Sequence, residues 1–423
     1  MHTRLTALAV CAVLFAAPAA RAADRLTLDD AIARVASNHP ELRLFEVRGE
    51  ALTAERELAV QRPALVAGAG IENAPGTGDY RGVKAAEVSL TLASVLERGG
   101  KLDARRTLAQ GRIDQLAVER ETRRLDLLAE VARRHLAISA ALQRQDIAAT
   151  DVQQRQRTLA AARARLQAGA SPESVVLTAA ANLARSELAQ ARAQQQWQVA
   201  RQQLAALWGE RNPDFEIIAS DPLQLPAVPD SLALARLLDA TPELARFADQ
   251  RRIGEARLQL ARSTATPDIE WHAGVRRLEA SNDVALIAGF SLPLGSRRRA
   301  EPAIRAASAE LAQLTIEREA AGLSLYATLS EAHGRYGLAQ LEVARLREEV
   351  LPTLQRAEAA AERAYRAGAV SYLEWAQLQS ELTATRAQQL EVAIDAQRAL
   401  IEIQRLTGQP FVAGGAAMQG IAP

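Results

Sequence analysis

A duplication limits the folds that are open to this chain. The tripeptide Ala-Gly-Ala occurs at 168–170 and again at 367–369, and the two copies lie 199 positions apart. The same offset aligns Leu-Trp-Gly at 207–209 with Leu-Thr-Gly at 406–408. Self-similarity on this scale predicts that the chain consists of two copies of one structural unit.

The duplication divides the chain into two units with short segments around them. The predicted segments, in chain order, are a signal peptide (1–22), a first repeat (23–211), a linker (212–229), a second repeat (230–409) and a flexible C-terminal tail (410–423). Within the repeats, β-hairpins are predicted at about 64–93 and 268–292, and α-hairpins at about 100–209 and 302–408. The linker is predicted from its four prolines and the tail from its small residues.

The N-terminus has the pattern of a cleaved export signal. Arg4 precedes an apolar run at 5–17, and Ala20-Arg21-Ala22 has the small residues of a cleavage site. The only cysteine of the chain, Cys11, lies in this apolar run. The mature chain is therefore predicted to have no disulfide and no thiolate metal site.

Long helices are the main element predicted in each unit. The segment 101–166 contains no proline and a single glycine, and one helix of that length would extend roughly 100 Å. Its apolar residues recur at spacings of three and four, which is typical of a helix packed along one side. Aromatic residues make up only 4% of the chain, which favours long helices packed closely over one thick globular core. In the second unit, Pro352 predicts a kink.

Each unit also contains two segments with strict alternation. Apolar residues occupy every second position at 65–71 and 87–92, and again at 268–276 and 283–292. Strands of about ten residues with one apolar face have the length that a tilted membrane-spanning barrel requires. A small soluble sheet packed on helices is the alternative. Four strands cannot close a barrel, so a membrane-spanning version requires several chains to combine their strands.

This layout resembles the TolC family of bacterial outer-membrane efflux proteins. The similar segments are TLDDAIARVASNHPEL at 27–42, the two β-hairpins, VLERGGKLDARR at 95–106, and the two Ala-Gly-Ala turns with the helices that follow them. The loop ENAPGTGDYRG at 72–82, followed by SLTLASVLERGGKLDARR, is most similar to the heavy-metal branch of that family, the cobalt–zinc–cadmium type.

The resemblance implies a mainly α fold with a small β part. It implies a homotrimer in the bacterial outer membrane, with a 12-stranded transmembrane β-barrel and a long α-barrel that extends into the periplasm. The implied partners are a periplasmic adaptor and a proton-driven inner-membrane pump of the resistance–nodulation–division type. The chain would be the passive exit duct for heavy-metal cations. A periplasmic adaptor and a coiled-coil scaffold outside the membrane are the alternatives.

The resemblance also assigns candidate sites. The two Ala-Gly-Ala turns become the periplasmic tips that contact the adaptor, with these candidates: Leu166, Ala168, Gly169, Ala170, Tyr365, Ala367, Gly368 and Ala369. Glu374 occupies a position where the family can carry an acidic residue at the closed aperture. The second such position carries the uncharged Gln377, a departure from the family pattern that weakens the predicted ring of charge. Three carboxylates near the axis would attract cations, whereas a solvated surface glutamate is the alternative.

Residues for other functions are not evident in the sequence. His39, His135, His272 and His333 are far apart and lack the spacing of metal ligands, so no metal site is predicted. The sequence contains no nucleophile elbow and no phosphate-binding loop, so neither a cofactor nor catalysis is predicted. The 51 Lys and Arg residues are balanced by 50 Asp and Glu residues without a basic tail, so nucleic acid is not expected as a partner.

Overall fold

A computed structural model describes residues 24–411 and has the predicted mainly α fold with a small β part. The predicted signal peptide lies outside the described residues, as does the predicted tail beyond Phe411. The elements follow in chain order as β1 (Asp24–Leu26), α1 (Leu28–Asn38), α2 (Pro40–Ala59), β2 (Val66–Glu72), β3 (Glu87–Leu96), α3 (Lys101–Gln167), α4 (Glu173–Ala205), β4 (Phe215–Ile217), α5 (Ser231–Leu238), α6 (Pro242–Ser263), β5 (Ile269–Leu278), β6 (Asp283–Ser291), α7 (Ser296–Arg345), α8 (Leu351–Ala367) and α9 (Tyr372–Thr407).

The two halves repeat the same order of elements, beginning with a pair of short helices. The hydroxyl of Thr27 accepts a hydrogen bond from the Asp30 N–H at 3.1 Å at the start of α1. At the start of α5, the Asp230 carboxylate accepts one from the Ala233 N–H at 2.7 Å. Both caps satisfy N–H groups that have no partner inside the helix. Proline is the first residue of both α2 and α6, a position that does not require its missing N–H.

The long helices begin at equivalent glycines. α3 has 67 residues and starts after Gly100, whose φ is 73°. α7 starts after Gly295, whose φ is 77°, and so begins at Ser296 instead of the predicted position of about 302. The left-handed glycine before the helix marks its start, and Pro302 lies inside α7 and not at its first turn.

The long helix of the second half is interrupted near its proline. Residues Leu346–Val350 form a single π turn between α7 and α8, and Pro352 lies in the first turn of α8. Because proline has no N–H to donate to the preceding turn, a change in hydrogen bonding at this point is expected. None of the helices between residues 24 and 411 has a segment that is both long and apolar enough to cross a membrane.

Four strands form one antiparallel sheet in the order β2-β3-β5-β6. The alternation predicted from the sequence is present in the register, since residues that pair across strands share a face. One central row on the apolar face consists of Ala69, Leu90, Val275 and Leu286. The adjacent row on the opposite face consists of Gly70, Ser89, Arg276 and Ala285.

The apolar face of this sheet is open in the single chain. Leu286 is 87% exposed and Phe290 is 79% exposed. On the opposite face, Arg276 pairs with Glu87 at 2.8 Å and lies 3.6 Å from Glu72. The outer edges of β2 and β6 have no strand partner among the described residues. The sheet thus has an apolar side, a polar side and two free edges.

The predicted linker contains structure that the sequence analysis missed. β4 lies within it and pairs in parallel with β1 to form a second, two-stranded sheet. Phe215 of β4 is 2% exposed, and its ring centre lies 5.7 Å from that of Trp208. Strands of three residues are too short to produce an alternating pattern. The prolines of the segment were therefore the only signal, and they predicted a linker without regular structure.

Within residues 24–411, the buried apolar residues form three clusters along the helices. The largest joins the start of the chain to α3, α4 and the end of α9. A second joins α5 to α7 and α9, and a third lies at the ends of the hairpins. Phe411 is buried in the largest cluster at 7% exposure, which corrects the prediction that the flexible tail begins at 410.

Candidate functional site at the ends of the helical hairpins

The two hairpins reverse direction through the same turn. In each, the residue after the glycine donates its N–H to the carbonyl five positions earlier, at 2.8 Å in both turns. The glycine donates to the carbonyl three positions earlier, at 2.9 Å for Gly169 and 3.0 Å for Gly368. The φ angles of these glycines are 69° and 81°, in the left-handed region that a side chain disfavours. The repeated tripeptide therefore encodes a helix C-terminus that occurs twice.

Most of the predicted tip residues are exposed. These are Ala168, Gly169, Ala170, Ala367, Gly368 and Ala369. Leu166 is half-buried. Tyr365 differs from the expectation for a contact residue, because its side chain is 2% exposed and packs inside the chain.

Arg165 joins the two tips. Its guanidinium donates to the carbonyl of Tyr365 in the second hairpin and, at 3.3 Å, to the carbonyl of Ala170 in the first. The guanidinium carbon lies 4.9 Å from the centre of the Tyr365 ring, within the range of a cation–π interaction. Burial raises the pKa of the Tyr365 hydroxyl, so this group stays neutral at physiological pH.

An aromatic cluster supports the second tip from within. The Tyr365 ring centre lies 5.2 Å from that of Trp375 and 6.4 Å from that of Tyr372. The Trp375 indole N–H donates to the Glu358 carboxylate at 3.0 Å, and the Asn182 amide donates to the Tyr372 hydroxyl at 3.0 Å. These contacts join α8 and α9 to each other and to α4 of the first hairpin.

A buried polar network, farther from the tips than the aromatic cluster, also links the two hairpins. We call it the hairpin network, and it is centred on the ion pair of Asp151 and Arg155, whose side chains are 12% and 8% exposed. Asp151 accepts hydrogen bonds from Ser186 of α4 and, at 2.9 Å, from Thr383 of α9. Arg155 donates to Ser380 of α9 at 3.0 Å. Sequence reasoning missed this network because no local pattern connects α3 with α9.

The network continues toward the tips. The Thr158 hydroxyl of α3 donates to the Gln379 amide oxygen at 3.0 Å, and the Gln379 amide N–H donates to Glu358 at 3.2 Å. Thr158 and Gln379 are both 1% exposed. Since a buried polar group without its partner is costly, these contacts fix how α9 lies against α3 and α8.

The aperture candidates lie on the first turns of α9. Glu374 is exposed, and its N–H donates to the Ser371 hydroxyl, which caps the helix, at 3.3 Å. A carboxylate in the first turn is also favoured by the helix dipole, so this residue has a structural role in any assembly. Gln377 is exposed on the same side, one turn further along. The equivalent position of the first hairpin, Val175, carries no charge.

The four histidines of the described chain lie apart. His39 caps α2, His333 lies 3.1 Å from a backbone carbonyl of the linker, and His272 is exposed on the polar face of the sheet. Burial lowers the pKa of His135 to about 4, and a hydrogen bond with the backbone of Ile218 opposes that shift in part. Between residues 24 and 411, no three His, Cys, Asp or Glu side chains are grouped so that they could hold a metal ion.

Comparison with known proteins gives a family match across both repeats. The sequence model of the family described as outer membrane efflux protein matches residues 31–210 and 233–409. The cobalt-zinc-cadmium resistance protein CzcC of Cupriavidus metallidurans is 29% identical over 227 residues. That alignment covers 53% of this chain and 54% of CzcC, so it spans about half the length of the relative.

Solved structures share the fold over most of the chain. CusC, studied for its folding and transmembrane channel formation, matches with a TM-score of 0.75 at 19% identity, over 90% of this chain and 91% of CusC. The outer membrane protein VceC of Vibrio cholerae matches with a TM-score of 0.73 at 17% identity, over 91% of this chain and 97% of VceC. At sequence identities this low, the structural similarity establishes a shared fold and nothing further.

Proposed function

The chain belongs to the outer membrane efflux protein family, and we propose that it is the passive exit duct of an export system that spans both bacterial membranes. The family match confirms the resemblance found in the sequence. Three copies form the duct, and each contributes one four-stranded sheet and two α-hairpins. The family consists of channels, and the chain is not an enzyme.

The sheet is the observation that carries this proposal. Its apolar face is exposed, its other face is polar, and both of its edges are free within the described residues. An open edge is unfavourable in lipid, because its backbone groups have no water to bond. Three sheets joined edge to edge satisfy those groups and direct the apolar faces to the lipid. The long helices then extend the duct into the periplasm.

The proposed partners meet the chain at the hairpin ends. A periplasmic adaptor contacts the exposed tip residues, which are Ala168, Gly169, Ala170, Ala367, Gly368 and Ala369, with Leu166 beside them. Tyr365 supports the tip from inside instead. The adaptor connects the duct to an inner-membrane pump of the resistance–nodulation–division type, and the proton gradient drives export at that pump.

Heavy-metal cations are the proposed cargo. This rests on the similarity to CzcC, whose name states resistance to cobalt, zinc and cadmium, and on the loop at 72–82. A duct need not bind its cargo tightly, so a closed set of metal ligands is not required. Each chain of the trimer would place one Glu374 near the axis, and the three carboxylates would attract cations at the aperture. Gln377 would lie beside Glu374 without adding charge.

Replacement of Glu374 tests the aperture role. Glu374→Gln removes three negative charges from a constriction of the trimer, so the preference for potassium over chloride should fall. The measurement is the reversal potential of channels in a planar bilayer under a salt gradient. Glu173→Gln, which changes the first residue of α4, is the matched control. A reversal potential that is the same in both variants and in the wild type would remove Glu374 from the aperture.

Location and assembly test the duct itself. The protein should fractionate with the outer membrane and be cross-linked as a trimer in intact cells. A periplasmic adaptor would instead remain with the inner membrane, and a coiled-coil scaffold would be released in the periplasmic extract. Either of those two distributions contradicts the proposal. The match of the family model to both repeats favours the duct over these alternatives.

A further inference from the structure

The ends of the two hairpins enclose a groove, which we call the tip groove. It has a volume of about 630 Å³ and lies between the C-terminal turns of α3 and those of α8. Alanines form its α3 side, at Ala160, Ala161, Ala164 and Ala168. Because alanine has almost no side chain to displace or to order, another helix can approach such a surface closely at little entropic cost.

Arginines line the tip groove around these alanines. They are Arg157, Arg165 and Arg366. Arg366 pairs with Glu362 at 2.5 Å. Arg157 donates to a backbone carbonyl of its own helix at 3.4 Å, and Arg165 donates to the two carbonyls at the tips. Among the described residues, no carboxylate pairs with Arg157 or Arg165, so the groove carries a net positive charge.

We infer that the tip groove receives a helical end of a partner protein that carries Asp or Glu beside its turn. This inference rests on the proposed function, and it gives the adaptor a chemical character. A close-packed alanine surface fits the backbone of a helix, and the guanidinium groups of Arg157 and Arg165, which have no carboxylate partner among the described residues, fit carboxylates at its rim. Complementary charge at a rim acts mainly on partner choice and association rate.

A second copy of this chain is the less suitable occupant. Its own exposed end has the same alanines and arginines, so a tip inserted into a tip groove would place like charges together. Like-charge contacts across an interface disfavour such a partner. The charge of the groove therefore favours a different, acidic protein.

The test uses full-length trimer in detergent and two synthetic helical hairpins as probes. The probes have equal length and alanine-rich facing surfaces, and differ only beside the turn, where one carries Glu and the other Lys. Each is labelled with fluorescein, and binding is measured by fluorescence anisotropy. The wild type should bind the Glu hairpin about tenfold more tightly than the Lys hairpin, and added salt should reduce the difference.

Charge reversal in the groove gives the decisive comparison. Arg157→Glu with Arg366→Glu should reverse the preference, so that the Lys hairpin binds more tightly. Arg165 is left unchanged because it bonds backbone carbonyls of both tips. Arg163→Glu, at an exposed residue of α3 that does not line the groove, is the matched control and should keep the preference for the Glu hairpin.

The outcomes separate this inference from the proposed function. Equal binding of the two hairpins, binding of neither, or an unreversed preference in the double variant would overturn the inference. The same preparations are also placed in planar bilayers. If the protein forms channels but binds the two hairpins equally, only the inference of an acidic partner is wrong. If it forms neither trimers nor channels, the proposed duct is wrong as well.

Discussion

At the residue scale, buried polar side chains decide how the two hairpins are joined. Arg155 and Asp151 lie almost fully inside the chain and satisfy each other, together with hydroxyl groups of α4 and α9. A buried ion pair of this kind adds little net stability compared with apolar packing. Removal of one partner is nevertheless costly, because it leaves the other charge buried without a counter-ion. Such residues therefore specify one arrangement of the helices more than they strengthen it.

His135 makes stability depend on pH. Its pKa is about 4 in the folded chain, below the ordinary value of 6.5, because burial disfavours the charged ring. Between those two values the unfolded chain binds a proton that the folded chain does not. The free energy of unfolding therefore falls as pH falls from 6.5 to 4, by about 3 kcal/mol per chain, and is unaffected above that range.

Replacement by a residue that does not titrate checks this prediction. In His135→Gln, the loss of unfolding free energy between pH 7 and pH 4 should be smaller by about 3 kcal/mol. Urea denaturation followed by circular dichroism gives the measurement. His333→Gln, at a partly exposed histidine, is the control and should lose as much as the wild type. An equal loss in all three proteins would show that His135 is not responsible.

At the scale of elements, the hairpin network couples the second hairpin to the first. α9 is held to α3 near the tips by Arg155, Thr158 and their partners, and farther from the tips by the pair of Arg144 and Glu391 at 2.7 Å. The two attachments differ in burial, since the side chains of Arg144 and Glu391 are 34% and 55% exposed. This difference allows a matched comparison.

Loss of the buried attachment should loosen the aperture. Arg155→Met leaves the Asp151 carboxylate buried without its cation, which costs about 3–5 kcal/mol. α9 should then move more freely against α3, and single-channel conductance in a planar bilayer should rise. Arg144→Met breaks an exposed pair worth at most about 1 kcal/mol, so its conductance should stay near the wild-type value. Equal conductance in the two variants would show that the hairpin network does not hold the aperture.

A second prediction at this scale concerns arginine substitutions on the two faces of the sheet. Leu286 lies in a central row of the apolar face, and Ala285 lies next to it on the polar face. In a membrane-spanning sheet, Leu286→Arg costs about 2–4 kcal/mol near the middle of the bilayer, whereas Ala285→Arg reaches the aqueous interior. The amount of trimer in the outer-membrane fraction should therefore fall for the first variant only. Equal amounts would indicate that the apolar face does not contact lipid.

For the whole molecule, local patterns predict the repeating parts. The Ala-Gly-Ala turns follow from glycine at a left-handed position, and the faces of the sheet follow from alternation. The length of α3 follows from an uninterrupted helical segment. These features depend on neighbouring residues, so a single sequence contains what is needed to find them.

Contacts between distant segments are what the sequence did not predict. The strand pair of β1 and β4 is too short for a pattern, and Phe411 is buried in a cluster whose other residues come from distant parts of the chain. Tyr365 resembles an exposed tip residue in the sequence, but α9 covers it. The hairpin network likewise exists only once α3 and α9 lie together, so the candidate site was predicted by position and not by its supporting contacts.

The most direct test of the duct is single-channel conductance of the purified, detergent-extracted trimer in a planar bilayer. Wild-type protein and Arg155→Met are measured together, because a closed aperture could hide a channel in the wild type. We predict discrete channels of uniform size, larger in the variant than in the wild type. Trimer that inserts but conducts in neither form, or protein that stays soluble and never inserts, would contradict the central claim that three chains form a transmembrane duct.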